Sequence, residues 1–232
     1  ITYQTGASVA LGWKNDDFVR LDPDDIASGA INGQIQVSDF VLLTFEPPAR
    51  TANACMKTID HLRRGGSSVQ LVVTPAPPYD DGTEVIPGIA HAIDLLVANE
   101  WECQMLAASL GDEVDPLDLD ELASSLRTRG IKQLCVPVDG QCFKYGDETP
   151  LAVPSWPVKG HDSTGERDAL LAAIVYQLSG ESTTIGQAEL RWATAAMAAS
   201  SMRPGVADSM PTVEDIERII ASYTPQDGKP KV

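Results

Sequence analysis

The sequence predicts an α/β architecture, three layers deep (α/β/α), built on a mostly parallel central sheet. Short apolar runs of strand length alternate with amphipathic stretches of helical length, which is the pattern of parallel strands joined by crossover helices. The strand-like runs are apolar along their length, as strands covered on both faces are. The composition is that of a globular protein: 43% hydrophobic and 22% charged residues among 232, enough to bury a substantial core.

Taken in order, residues 40–45 (Phe40-Val-Leu-Leu-Thr-Phe45) form the first clear strand signal. A helix is predicted from Thr51 to Arg64, with Ala54, Met56, Ile59 and Leu62 at helical spacing, and it stops at Gly65-Gly66. Val69 to Val73 reads as a buried strand ended by the prolines of 75–78, and Ile93 to Val97 as another. Helices follow at Glu102 to Leu110 and Leu117 to Arg129, the latter with Leu119, Leu122 and Leu126 on one side. Gln133 to Val138 is the next strand. Three further helices are predicted at 166–178, 184–200 and 212–223. Residues 12–25 are acidic, lack periodicity and read as a surface excursion. Residues 1–224 read as one domain, and 225–232 as a polar tail.

Seventeen basic and thirty-three acidic residues give a net charge of −16 and a pI near 4.4. A phosphate backbone repels such a chain, so nucleic-acid binding is not expected. No apolar run approaches the roughly 18 residues that span a bilayer, and no signal peptide is apparent, so neither membrane insertion nor export is expected. Cys55, Cys103, Cys135 and Cys142 show no CxxC and no Cys/His spacing of a zinc site. A reducing interior, cytoplasmic or organellar, fits them. His61, His91 and His161 are scattered, and none signals chemistry alone.

The most informative segment runs from Lys159 to Ala173, a turn rich in Ser, Thr and Gly that feeds an apolar helix. Helix N-termini carry unpaired N–H groups and the positive end of the dipole, which together attract anions. Asp168, in the first turn, either stabilises that dipole or acts as a base beside a bound phosphate. By itself the segment reads more readily as a capped helix than as an active site.

Asp162-Ser-Thr-Gly-Glu-Arg-Asp168 resembles the D-T-T-G-A-G-D signature of the ribokinase-like (PfkB) sugar and nucleoside kinases. Four more stretches resemble that family's motifs in the family's order. Residues 43–48 (Leu-Thr-Phe-Glu-Pro-Pro) match L-Q-L-E-I-P, and 73–77 (Val-Thr-Pro-Ala-Pro) match N-P-A-P. Residues 95–102, containing Asn99-Glu-Trp-Glu102, match D-x-L-x-x-N-E-x-E, and 195–211 match A-A-A-A-x-x-V-T-R-x-G-A-x-x-S-x-P.

The resemblance implies a ribokinase-like fold and ATP-dependent phosphorylation of a sugar hydroxyl, with ATP, magnesium and potassium as cofactors. Asp168 would be the general base and would also touch the sugar. Gly165, Glu166 and Arg167 would complete the anion hole with it. Asn99, Pro137, Asp139 and Thr194 fall at the nucleotide, and Glu102 in the magnesium network. Asn99 and Glu102 also read as the capping box of a helix. Glu46 would approach the sugar, or else be a turn residue. Asp162, Thr164, Ser200, Arg203, Gly205 and Ser209 fall where the family holds a monovalent cation.

Three departures from the pattern stand out. The anion hole reads Gly-Glu-Arg-Asp in place of Gly-Ala-Gly-Asp: Arg167 either obstructs a phosphate or neutralises it, and Glu166 adds negative charge. Residues 137–142 replace the threonine and both glycines of the nucleotide loop T-L-G-x-x-G in that register. Family members also carry roughly a hundred more N-terminal residues with the first strands and lid, so the domain is expected to be incomplete at its start. The alternative to a kinase is therefore a catalytically impaired relative, serving as a structural or regulatory subunit. Either form is expected as a homodimer or within a larger complex.

Overall fold

A computed structural model describes residues 2–5, 8–11, 24, 26, 28–44, 49–75, 87–111, 115, 118–146, 149–180, 184–205 and 207–223. The architecture is α/β, with a mostly parallel sheet flanked by helices, as expected. The chain divides into two compact units, residues 1–136 with 145–149, and residues 137–144 with 150–232.

The sheet of the first unit uses β1 (Thr2–Thr5), β2 (Ser8–Leu11), β3 (Phe40–Thr44), β4 (Gln70–Thr74), β5 (Leu95–Val97) and β6 (Gln133–Val138), neighbours in sequence being neighbours in space. Only β1 is antiparallel; Val41 pairs with Leu71, Val73 with Leu96, and Leu96 with Leu134 in parallel register. Helices α1 (Gly29–Gln36), α2 (Ala49–Arg64), α3 (Glu100–Ser109) and α4 (Leu119–Thr128) occupy the connections. Each crossover advances one strand in one direction. Helix α1 packs on α2, and α3 on α4.

Helix α2 buries Ala52, Cys55, Met56 and Ile59, an i, i+3, i+4, i+7 stripe. Of the expected face, Met56 and Ile59 are buried in that stripe, whereas Ala54 and Leu62 are half-buried, Ala52 and Cys55 taking the buried places on that side. Gly66, at φ 96°, ends the helix in a Schellman turn, with Ser67 N–H donating to Leu62 O and Gly66 N–H to Arg63 O. Arg63 is then spent on structure: it donates to Val69 O, Ala92 O and the Asp94 carboxylate, which also accepts from Leu71 N–H and Lys132 Nζ. Gly130 closes α4 at φ 103°, and a Cβ there would meet His91 Cβ at 2.7 Å.

The second unit pairs β7 (Gln141–Tyr145) with β8 (Leu151–Pro154) antiparallel, most of β7 belonging to it. Helices α5 (Glu166–Leu178), α6 (Gln187–Ser201) and α7 (Val213–Tyr223) pack in succession. Helix α6 is buried over most of its surface by alanines (Ala193, Ala195, Ala196, Ala199), which let α5 approach it closely.

Several expectations shift. The strand expected to begin at Ile93 begins at Leu95, because Pro87–Ala92 form a 3-10 turn whose Ala90 carbonyl accepts from Ile93 N–H. Strands β2, β7 and β8 and helix α1 were not anticipated. The excursion at 12–25 lies almost wholly outside the described residues, as does the tail at 225–232. All four cysteines are buried and unbridged, and burial pushes Cys55, Cys103 and Cys142 up to about 12. Among the described residues no helix is long and apolar enough to cross a membrane.

Candidate active site

Parallel sheets present their functional loops at the carboxyl ends of the strands. In the first unit, β5 leads directly into Asn99 and α3. Asn99 Oδ1 accepts from Glu102 N–H at 2.8 Å, and Glu102 Oε2 accepts from Asn99 N–H at 2.9 Å. The capping box read from the sequence is thus formed, and Glu102 is 4% exposed. On the strand beside it, the hydroxyl of Thr74 at the carboxyl end of β4 is buried without a hydrogen-bond partner. Glu46 lies outside the described residues.

The second unit gathers most of the remaining candidates. Asp162 ties the loop before α5 to the loop after α6: its Oδ1 accepts from the N–H and hydroxyl of Thr164, and its Oδ2 accepts from Gly205 N–H at 2.9 Å. These donors hold its carboxyl down at about 2. His161 and Asp162 N–H both donate to Ser201 O. Ser200 and Ser209 share a hydroxyl hydrogen bond of 3.1 Å, while Arg203 turns to Asp215 at 2.8 Å. The six cation-loop candidates therefore fall into two hydrogen-bonded groups: Asp162 with Thr164 and Gly205, and Ser200 with Ser209 and the N–H of Arg203.

Gly165 begins α5 where no side chain fits. An added Cβ would lie 2.5 Å from Ser209 Oγ and 3.0 Å from Ser200 Oγ. The helix start carries no side-chain cap. Asp168 sits exposed in the first turn, yet desolvation raises its carboxyl above the ordinary value while Arg167 pulls the other way. Glu166 is half-buried; burial raises its carboxyl, a hydrogen bond with Ser201 lowers it, and the charge of Asp162 raises it further.

A cavity of about 250 Å³ opens in this unit, and Asp139, Glu166 and Thr194 all line it. Pro137 stands just before the cavity without lining it. The stretch read as a nucleotide loop is a tight turn: β6 ends at Val138, Asp139-Gly140 turn at φ 78° for Gly140, and β7 begins at Gln141. A glycine therefore stands at the tip although the quoted register placed the motif's glycines on Asp139 and Cys142. Asp-Gly between apolar runs is itself a hairpin signal, and could have found this turn.

Trp156 was not singled out by the sequence. Buried in the cavity wall, it donates through Nε1 to Thr194 Oγ1 at 3.2 Å and carries the Arg191 guanidinium 4.1 Å over its ring. No spacing rule marks it, because its partners come from a helix 35 and 38 residues further on.

Among the described residues, no three His, Cys, Asp or Glu side chains gather as a metal cage. Glu102 is engaged in its cap, with Oε2 accepting from Asn99 N–H. The oxygen-rich loops around Asp162 and Ser200 suit a monovalent cation.

No protein-family model matches the sequence, and no curated protein matches it. Solved structures do. Ribokinase from Thermotoga maritima superposes with a TM-score of 0.68 at 23% identity, over 82% of this chain and 59% of that one. Arabidopsis thaliana ribokinase, solved with ribose and ATP, gives 0.69 at 20% identity, over 83% and 59%. Phosphofructokinase-2 from Escherichia coli, solved with potassium, gives 0.69 at 17% identity, over 88% and 64%. The chain thus spans about three fifths of the length of these structures, and its fold is the ribokinase-like fold of carbohydrate kinases.

Proposed function

We propose that the chain carries the nucleotide-binding and catalytic portion of an ATP-dependent kinase that phosphorylates a sugar hydroxyl. The observation that carries this reading is the position of Asp168: in the first turn of a helix whose start has no side-chain cap, in the unit that also holds the cavity lined by Asp139, Glu166 and Thr194. Asp168 would accept the proton of the sugar hydroxyl, whose oxygen then bonds to the γ-phosphorus as the bond to the ADP oxygen breaks. N–H groups at the helix start would stabilise the charge spread over the transferring phosphoryl. A raised carboxyl is a better base than an ordinary one, provided it is still ionised at working pH. Potassium held near Asp162 and Ser200 would neutralise charge behind that helix.

A second reading is binding without turnover, in a structural or regulatory subunit. Glu166 favours it, since it places a carboxylate in the cavity wall close to where a phosphate would lie. One experiment separates the two. Turnover of magnesium–ATP with ribose is measured beside ATP binding, for the natural sequence and for Asp168→Asn. The kinase reading expects a rate loss of about 10²–10⁴-fold with binding unchanged. Equal rates in the two proteins remove Asp168 as the base, and ATP binding without any turnover selects the second reading.

A further inference from the structure

A cavity of about 410 Å³ opens in the first unit at the amino ends of β3 and β4, the end of the sheet away from Thr74 and Asn99. Its size is that of a small-molecule site. The C-terminal ends of α1 and α2 meet the entries of those strands there, and Gln36, Val37, Asp39, His61, Leu62 and Ser68 line it. The run Gly65-Gly-Ser-Ser68 on its wall has the composition of a phosphate cradle, but its donors are spent. Gly65 N–H donates to His61 O and Leu62 O, Gly66 N–H to Arg63 O and Ser67 N–H to Leu62 O, while Val69 N–H donates to Ser67 Oγ at 3.3 Å. Each helix end brings the negative pole of its dipole. No lysine or arginine lines the cavity: Arg63 is committed to Asp94, and Arg64 reaches back to Asp60 at 2.6 Å. The Asp39 carboxylate is exposed and has neither hydrogen bond nor ion pair among the described residues. Val37 stands 76% exposed, the most exposed large apolar side chain among the described residues.

We propose that this cavity binds a small organic ammonium ion, its nitrogen on Asp39 and its hydrocarbon chain on Val37 and Leu62. An N–H donor carrying positive charge meets a free carboxylate, where its hydrogen bond is charge-assisted. Around it stand the Gln36 amide, the Ser68 hydroxyl and the His61 imidazole, each able to accept as well as donate. An anion of the same size meets spent N–H groups, two negative helix ends and a carboxylate, so the same walls reject it. The exposed valine gives the chain of the ligand the apolar contact that a bare cation cannot use. The site draws on none of the residues of the proposed kinase chemistry and stands or falls independently of it.

Titration of the chain with butylammonium, followed by backbone-amide NMR, tests this. The net charge of −16 draws cations to the whole surface, so the titration is run at about 0.15 M salt, where charges beyond about 8 Å are screened. Saturable shifts are expected at the amides of Val37, Ser38, Ser67 and Ser68, and none with butyrate or inorganic phosphate. Asp39→Asn keeps the backbone carbonyl that accepts from Gln70 N–H and should weaken butylammonium by about tenfold. Methylammonium should bind about tenfold more weakly than butylammonium, and Val37→Ser should cut that ratio to about threefold. Three outcomes overturn the proposal: no saturable shift at these amides, an affinity that Asp39→Asn leaves within about twofold, or phosphate seated at the same amides as tightly. Shifts spread over the acidic surface and indifferent to Asp39→Asn belong to the second of these. Should the asparagine variant fail to fold, the Val37→Ser ratio decides: a ratio left at about tenfold overturns the proposal as well.

Discussion

Helix α3 opens with Asn99 and Glu102 bonded reciprocally to each other's backbone, whereas α5 opens at Gly165 with no side-chain cap. The first arrangement closes two helix-end groups inside the protein. The second leaves the first turn to whatever approaches it, and fixes its position by packing: Gly165 is wedged against Ser200, Ser209 and Met210. A helix start that satisfies itself serves stability. One held in place from behind, with no side-chain cap, is suited to a ligand.

The largest effect on stability should come from Gly165→Ala. The added methyl has no room at 2.5 Å from Ser209 Oγ, and Ser209 is buried. Overpacking of this kind costs about 1–3 kcal/mol, read as a lowered urea midpoint. A stability unchanged by the methyl would mean that α5 is not pinned by the loop after α6, and the comparison would fail at its first step. Asn99→Ala comes next, at about 0.5–2 kcal/mol for a lost cap, again by urea denaturation.

Glu102→Gln divides the two roles assigned to Glu102. Glutamine serves the capping box as well as glutamate does, so stability should move by less than about 0.5 kcal/mol. If turnover of magnesium–ATP nevertheless falls, the charge itself matters to the metal-bound nucleotide. If turnover also stays, α3 is a structural helix start and nothing more.

How much of this was legible in sequence follows from the range of the interactions. The bounds of α5 were read to the residue, and Gln133–Val138 likewise, because local periodicity and flanking turn residues decide them. The capping box of α3 was legible for the same reason: its partners are three residues apart. The knitting of Asp162 to Gly205 came only through resemblance, since 43 residues separate them. Trp156 escaped altogether, its partners being on α6. The shift of the α2 stripe from Ala54 to Ala52 and Cys55 shows a further limit. The stretch around Ala54 and Cys55 offers small apolar side chains on more than one face, so composition alone does not choose the buried one.

The smallest effect concerns the charge beside Asp168. Desolvation raises that carboxyl above its ordinary value, and Arg167 counters it. The folded chain therefore holds the proton more tightly than the unfolded chain does. Stability from this group is fullest at pH below the unfolded value of 3.8 and is lost as pH rises through the folded one. Removing the guanidinium with Arg167→Gln takes away the opposing charge, so the folded value must rise further. Titration of the Asp168 carboxyl carbon by NMR should show its midpoint moving to higher pH in the variant. In a working kinase the acid limb of kcat/KM would move the same way, because the base must lose its proton before it can take the sugar's. A midpoint that moves down, or not at all, would mean Arg167 points its charge elsewhere. The first turn of α5 would then offer a phosphate no arginine, and only its backbone would remain to hold one.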